Sequence, residues 1–162
     1  MNEGLRKTAM FVRDLLGYTD ESLIRIGRLN FTLDGFEKDY IGIDSVISAK
    51  RLGSGQYFDA TNEIMEYQEQ WMLPVIISFY GDLASTTASK FSLYLQSQSS
   101  IELQKTLGIA VHKSSGLTDI KILTGQKYNN RIESTINVQY SISANIDTLR
   151  IDTAETTLII DN

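Results

Sequence analysis

Apolar and polar positions alternate along two long segments of the chain in the pattern of β strands. In EIMEYQEQWMLPVIISFY, residues 63–80, apolar side chains recur at every second position, and only Glu69 interrupts that face. In RIESTINVQYSISANI, residues 131–146, a polar side chain stands at each intervening position. The sequence therefore predicts two long strands, each with one apolar face.

Three other segments complete the predicted β structure. DYIGIDSVISA, residues 39–49, has the β-branched content of a strand and would pair with residues 63–80. The connection between these two strands, residues 50–62, is rich in Gly, Ser, Asp and Asn and predicts a projecting, exposed hairpin loop. LRIDTAETTLIID, residues 149–161, predicts a further strand that returns from a turn after residue 146.

Helical periodicity appears in two places. LRKTAMFVRDLL, residues 5–16, places its apolar side chains along one stripe, and Gly17 is the residue type that ends a helix. After Gly81 a second stripe begins, formed by Ala84, Ala88, Phe91 and Leu95. Asp82 is placed to cap the first turn of that helix.

A third helix is predicted within SSIELQKTLGI, residues 99–109. Ser99 and Glu102 have the spacing of a capping box, and Gly108 ends the helix. The order of helix, long hairpin, two helices and long hairpin predicts an α+β fold, in which an antiparallel sheet with long hairpins packs against helices on one side. At 162 residues the chain is expected to form a single domain, residues 1–162.

Composition narrows the class of function. The net charge of −5 is the opposite of the basic surface expected of a protein that grips nucleic acid. The absence of cysteine excludes disulfides, thiolate metal sites and a cysteine nucleophile. No apolar run approaches the roughly 20 residues that span a bilayer, so no membrane association is expected.

Candidate chemistry is sparse. LGSGQYF, residues 52–58, lacks the third glycine of a dinucleotide loop and the Gly-Lys-Ser/Thr of a phosphate loop, so a hairpin tip is the better interpretation. His112 is the only histidine and has no nucleophile motif beside it. Tyr67 and Trp71 could stack on bases but share a face with apolar residues. The carboxylate candidates lack metal-loop spacing and fit solvated faces better: Asp20 with Glu21, Glu63 with Glu66 and Glu69, and Asp152 with Glu155. No enzyme, cofactor or metal is predicted.

The stretch VIISFYGDLA, Val75 to Ala84, resembles the segment that opens the central helix in the neck or tail-terminator proteins of tailed bacteriophages. Three further short matches follow at Leu107-Gly108, Leu117-Thr118-Asp119 and Arg131-Ile132-Glu133. The resemblance covers roughly residues 63–146. Earlier in the chain, relatives often have a Pro-rich strand entry, whereas this chain has only Pro74.

The resemblance implies a structural virion protein that forms a homo-oligomeric, hexameric ring. Such a ring caps the finished tail tube and joins it to the head-completion or connector protein, with DNA passing through the lumen without tight binding. The protein would be in the virion, at the tail and neck, and in the host cytoplasm during assembly. The alternative within virions is a head-completion, connector or tail-tube-like protein.

Specific residues acquire roles under this interpretation. Gly81 and Asp82 would form a structural joint between strand and helix. The candidate assembly loop comprises Gly53, Ser54, Gly55, Gln56, Tyr57, Phe58 and Asp59. The candidates for the lumen are Glu63, Glu66, Glu69 and Glu133, because their charge would repel a transiting polyanion. Two hypotheses from other classes stay open: a small hydrolase using Asp82 or His112, and a peptide-binding module with an open sheet edge.

Overall fold

The structure is a computed structural model that describes residues 3–20, 23–26, 39–45, 47–113, 115–124 and 127–147. Within these ranges three helices and a seven-stranded, mostly antiparallel sheet form the α+β fold that the sequence predicts. The helices are α1 (Glu3–Leu16), α2 (Ala84–Tyr94) and α3 (Gln98–Leu107). The strands are β1 (Ile24–Ile26), β2 (Tyr40–Asp44), β3 (Lys50–Asp59), β4 (Ile64–Tyr80), β5 (Ile109–Lys113), β6 (Thr118–Thr124) and β7 (Lys127–Asp147).

The centre of the sheet is the antiparallel pair β4 and β7. The two strands stay in register from Ile64 opposite Asp147 to Tyr80 opposite Arg131. On the side away from β7, β4 pairs with β2 near its C-terminal end and with β3 near its N-terminal end. On the side away from β4, β7 pairs with β6 near its N-terminal end and with β5 farther along the strand. The short strand β1 lies parallel beside β2. The long hairpins of the prediction are therefore built around one pair of strands.

Pro74 lies where β4 changes partner from β2 to β3. The β2 pairing ends at Ile76 and the β3 pairing begins at Met72, so no strand stands opposite Pro74 on that side. The Pro74 carbonyl accepts a hydrogen bond there from Ser45 Oγ at 2.9 Å. Because proline has no N–H to donate, this gap is the place in β4 where it costs no ladder hydrogen bond.

The helices cover one face of the sheet. Alternate residues of β4 and β7 on that face are at most 1% exposed: Leu73, Val75, Ile77, Phe79, Ile136 and Val138. They share one core with Phe11 and Val12 of α1 and with Ala84, Ala88 and Phe91 of α2. The sequence predicts that helices cover one face of the sheet, and this is confirmed for Ile136 and Val138 on the apolar face of β7. The same face is not covered at Ile142 and Ile146, which are 42% and 55% exposed.

Two predicted helix starts need correction, whereas two predicted helix ends are confirmed. The N-cap of α2 is Leu83, whose own side chain makes no capping hydrogen bond, so Asp82 is not the predicted cap. The N-cap of α3 is Ser97, whose hydroxyl accepts from the Ser100 amide, and not Ser99. Gly17 and Gly108 have positive φ angles of 72° and 61° at the ends of α1 and α3, a conformation that favours glycine.

The predicted loop at residues 50–62 is mostly a strand. Residues 50–59 form β3 and pair with β4, and the connection is only the turn at residues 60–63. Conversely, the strand predicted at residues 39–49 ends at Asp44. The strand predicted at residues 149–161 lies outside the described residues. In the part of the chain that the structure describes, no helix has the length and apolar character needed to cross a membrane.

Candidate assembly surface

The joint between β4 and α2 depends on Gly81 and Asp39. Gly81 has a φ of 97°, a conformation that turns the chain into α2. Its amide donates a hydrogen bond to the Asn130 carbonyl. A Cβ atom at this position would overlap the Asp39 carboxylate and lie 2.9 Å from the Asp39 Cα. That carboxylate accepts a hydrogen bond from the Leu83 amide at 3.0 Å. Asp39 therefore satisfies the amide at the start of α2, while Asp82 is exposed.

Behind the joint, on the face opposite the helices, two tyrosines and two arginines stack. The rings of Tyr40 and Tyr80 are 4.4 Å apart and nearly parallel. Arg25 lies 4.3 Å above the Tyr40 ring and Arg131 lies 5.3 Å from the Tyr80 ring. Burial raises the pKa of Tyr40 to about 12 and also raises the pKa of Tyr80. Both phenols are therefore neutral at physiological pH, and the cluster stabilises this end of the sheet.

Glu133 belongs to the same cluster. It forms an ion pair with Arg131 and accepts a hydrogen bond from Ser78 Oγ at 3.1 Å. Its charge is thus largely compensated within the chain. As a candidate for the lumen, Glu133 contributes less repulsion toward DNA than an unpaired carboxylate would.

The opposite end of the β4–β7 pair extends beyond the helices. We call this extension the arm; it comprises residues 50–72 and 139–147, that is, β3 with the paired portions of β4 and β7. The N-terminal turn of α1 packs over its base, where a Cβ on Gly4 would be 2.7 Å from the Tyr140 ring and 3.0 Å from Leu73. Farther along the same face, large side chains are exposed. Tyr67 is 43% exposed, Ile142 is 42% and Ile146 is 55%.

The two faces of the arm differ in chemistry. The face that continues the core is mainly apolar, with an Arg51–Glu69 ion pair at 3.0 Å across it. We call this set the apolar face of the arm: Phe58, Met65, Tyr67, Ile142, Ala144 and Ile146. The other face is mainly polar and carries Tyr57, Glu66, Gln68, Gln70, Ser141, Ser143 and Asn145. An apolar sheet face that none of the described helices covers has the character of an interaction surface.

The tip of the arm is held by its own hydrogen bonds. The Asp59 carboxylate accepts from the Asn62 side chain at 2.7 Å and from the Thr61 amide at 2.9 Å. These bonds lower the pKa of Asp59, so the tip stays negatively charged. Glu63 follows in a left-handed conformation with φ of 54°. The tip is therefore a defined turn that presents acidic side chains.

The predicted site residues fall into separate places. The seven assembly candidates, residues 53–59, all lie on β3 along one edge of the arm. Glu66 and Glu133 share the face opposite the helices, because Glu66 pairs with Asn145 and Ser78 with Glu133. Glu69 lies on the apolar face and is paired with Arg51. The four lumen candidates thus do not form one cluster.

The residues of the hydrolase hypothesis do not meet. His112 is exposed on β5, and Asp82 is exposed at the joint. A cleft of about 270 Å³ lies beside the joint, lined by Tyr18, Tyr40, Tyr80 and Leu83 among others. The carboxylate of Asp39 at its edge is already bonded to the Leu83 amide. Among the described residues, no group of three or more His, Asp or Glu side chains is arranged to hold a metal ion.

Sequence reasoning missed two parts of this surface. The Tyr–Arg cluster joins four strands, and only the aromatic pair Phe79-Tyr80 before Gly81 gives a local signal of it. β3 was missed because Gly53 and Gly55 resemble turn residues, although neither has a positive φ angle. The adjacent aromatic residues Tyr57 and Phe58, which favour strands, were the available signal.

Comparison with protein-family models gives one match. The model described as phage neck terminator protein matches residues 36–162. This range contains the joint, the arm and both helices α2 and α3. No curated protein matches the chain.

Proposed function

The chain belongs to the phage neck terminator family, and from this premise we propose that it forms a ring that caps the tail tube and joins it to the head connector. The family itself is one of structural proteins of the bacteriophage neck, which argues against an enzyme and implies a place in the virion. In the proposed ring, six copies surround a lumen through which DNA passes. The partners are other copies of this chain, the tail tube protein and a head-completion or connector protein.

The arm is the observation that supports this proposal. A domain that acted alone would have no use for a sheet extension with large apolar side chains such as Ile142 and Ile146 in water. Exposed strand edges and apolar faces of this kind are normally covered or blunted in proteins that stay monomeric. In the proposed ring, the assembly residues 53–59 contact neighbouring chains.

The faces of the sheet suggest which carboxylates border the lumen. Glu66 and Glu133 share the polar face, whereas Glu69 lies on the apolar face. The polar face is therefore the proposed lumen side, and Glu63 stands at the tip of the arm. Glu133 is compensated by Arg131, and the cations Arg25, beside β2, and Lys50, opposite Met72, stand at separate places on the same face. DNA would slide past such a surface because no array of Lys and Arg holds its phosphates.

The joint has a structural role in this proposal. Gly81 allows the reversal, and Asp39 supports the start of α2. Asp82, with its exposed side chain, belongs to the joint by position only.

The test is removal of the assembly residues. A variant lacking residues 53–59 should keep the thermal unfolding of the helix-covered sheet, form no rings in electron micrographs and fail to restore tail joining in a phage that lacks the intact protein. A double Asp82→Ala, His112→Ala variant is the control and should restore joining fully. The proposal would be contradicted if the deletion variant restored tail joining, or if the control variant failed to restore it. Long tubes in place of single rings would indicate a tail-tube-like protein.

A further inference from the structure

Two exposed apolar surfaces lie on different parts of the chain. The first is the apolar face of the arm. The second is the α2–α3 corner, which we define by Leu93, Tyr94 and Ile101; these residues are 70%, 38% and 45% exposed. They flank the tight turn at residues 95–97, in which the Ser97 amide bonds to the Tyr94 carbonyl. Within the described part of the chain, each surface has large apolar side chains that stay exposed.

The size of the arm indicates how many contacts an assembly needs. Three strands spaced about 4.8 Å apart and about nine residues long give a face of about 400 Å². A stable pairwise interface needs about 800 Å² on each partner. One arm contact is therefore too small to hold a dimer, but a closed ring, in which every copy gives one arm and receives another, doubles the contact for each copy.

Charge favours the α2–α3 corner as the surface that receives the arm. The hairpin of residues 50–72 has four carboxylates against two cations, Lys50 and Arg51. Residues 84–113, which include the corner, have three lysines, Lys90, Lys105 and Lys113, against the single carboxylate Glu102. Packing two arms face to face with their tips at the same end would instead bring two acidic tips together.

We propose that the apolar face of the arm of one copy docks on the α2–α3 corner of a second copy. The inference rests on the proposed ring and specifies its contact. The interface is heterologous, because the two surfaces differ, and such an interface repeats from copy to copy until it closes. Apolar contacts of Ile142, Ala144 and Ile146 with Leu93, Tyr94 and Ile101 supply its centre, and the lysines face the acidic tip.

Engineered cysteines can test this contact directly, because the chain has no cysteine of its own. Ala144→Cys lies on the apolar face, and Gln96→Cys lies at the corner between its three apolar residues. The matched control is Ser143→Cys with Gln96→Cys, since residues 143 and 144 are adjacent and point to opposite faces of the arm. Each double variant is oxidised and its cross-linked products are counted by denaturing electrophoresis.

The expected result is a ladder of covalent oligomers for the Ala144→Cys, Gln96→Cys variant, at least tenfold stronger than for the control. Dimers formed by Ala144→Cys alone would show arm-on-arm packing and overturn the inference. Rings without this cross-link would also overturn it, while leaving the proposed function in place. A protein that stays monomeric at every concentration overturns it as well, and tail joining by the unmodified protein then decides separately on the proposed function.

Discussion

The same two strands have a fully buried apolar face at one end and an exposed apolar face at the other. We call residues 73–80 of β4 with residues 131–138 of β7 the covered half. There, alternate side chains such as Val75 and Ile136 are fully buried under α1 and α2. In the arm, the same alternation continues, yet Tyr67, Ile142 and Ile146 stay exposed. Period-two patterning therefore specifies a strand with an apolar face, whereas the layer that covers the face comes from elsewhere in the chain or from another chain.

The difference assigns different tasks to the two halves. The covered half has the helices, the joint and the Tyr–Arg cluster, and its contacts hold the domain together. The arm contributes Tyr140 and Trp71 to the core at its base, and beyond them it leaves its side chains available for assembly. Changes in the covered half should therefore alter stability, and changes in the arm should alter association.

The largest expected effect comes from Phe91→Ala. Phe91 is fully buried and its ring lies 5.7 Å from that of Phe79, so its loss leaves a cavity in the core. We expect the free energy of unfolding, measured by urea denaturation, to fall by about 3 to 5 kcal/mol. Ile146→Ala in the arm is the control and should cost less than about 1 kcal/mol. Equal losses of unfolding free energy in the two variants would contradict the distinction between the covered half and the arm.

A smaller effect is expected from Gly81→Ala. A side chain at φ of 97° is strained, and its Cβ would displace the Asp39 carboxylate from the Leu83 amide. The expected cost is about 2 to 3 kcal/mol in the same measurement. Gly53→Ala in the arm meets open space and should change stability by no more than about 0.5 kcal/mol. If the Gly81→Ala protein kept the free energy of unfolding of the unmodified protein, the joint would not depend on glycine.

Alkaline pH should weaken the covered half selectively. The pKa of Tyr40 is raised from 10.0 in the unfolded chain to about 12 in the folded protein. Its contribution to stability is therefore full below pH 10 and is lost as the pH rises toward 12, because the unfolded chain releases the proton first. Tyr40→Phe should flatten this decline in chemical denaturation. A decline of the same size in the Tyr40→Phe protein would assign it to other groups.

The smallest signal is expected with DNA. The acidic arm and the compensated Glu133 offer no array of cations, so duplex DNA should bind no more tightly than about 1 μM at physiological salt, as measured by fluorescence anisotropy. Submicromolar binding with a steep salt dependence would contradict a passive lumen.

The sequence predicted the long strands and helices well, because each has a strong local period. β4 and β7 extend over nearly the predicted residues, and Gly17 and Gly108 end their helices as expected. The errors lie where distant residues decide. Asp82 stands one residue before the N-cap Leu83, and the Leu83 amide donates its hydrogen bond to Asp39, which is 44 residues from Leu83 in sequence.

β3 is a second case in which distant residues, and not the local sequence, decide the structure. Its glycines favour a loop locally, but pairing with β4 makes the segment a strand. Burial could not be predicted from the alternating pattern either. Ile136 and Ile142 have the same surroundings in that pattern, yet Ile136 is fully buried and Ile142 is 42% exposed. The division into covered half and arm depends on where α1 and α2 pack, and no local pattern encodes that position.

Sedimentation velocity of two variants at adjacent positions tests the division of tasks most directly. Ala144→Glu places a charge on the apolar face of the arm, and Ser143→Glu places the same charge on the polar face. We predict that the Ser143→Glu protein assembles like the unmodified protein. The Ala144→Glu protein should need at least a tenfold higher concentration to assemble, about 1.4 kcal/mol, with its urea midpoint unchanged. Equal assembly of both variants, or a lowered urea midpoint for Ala144→Glu alone, would contradict the assignment of assembly to the arm.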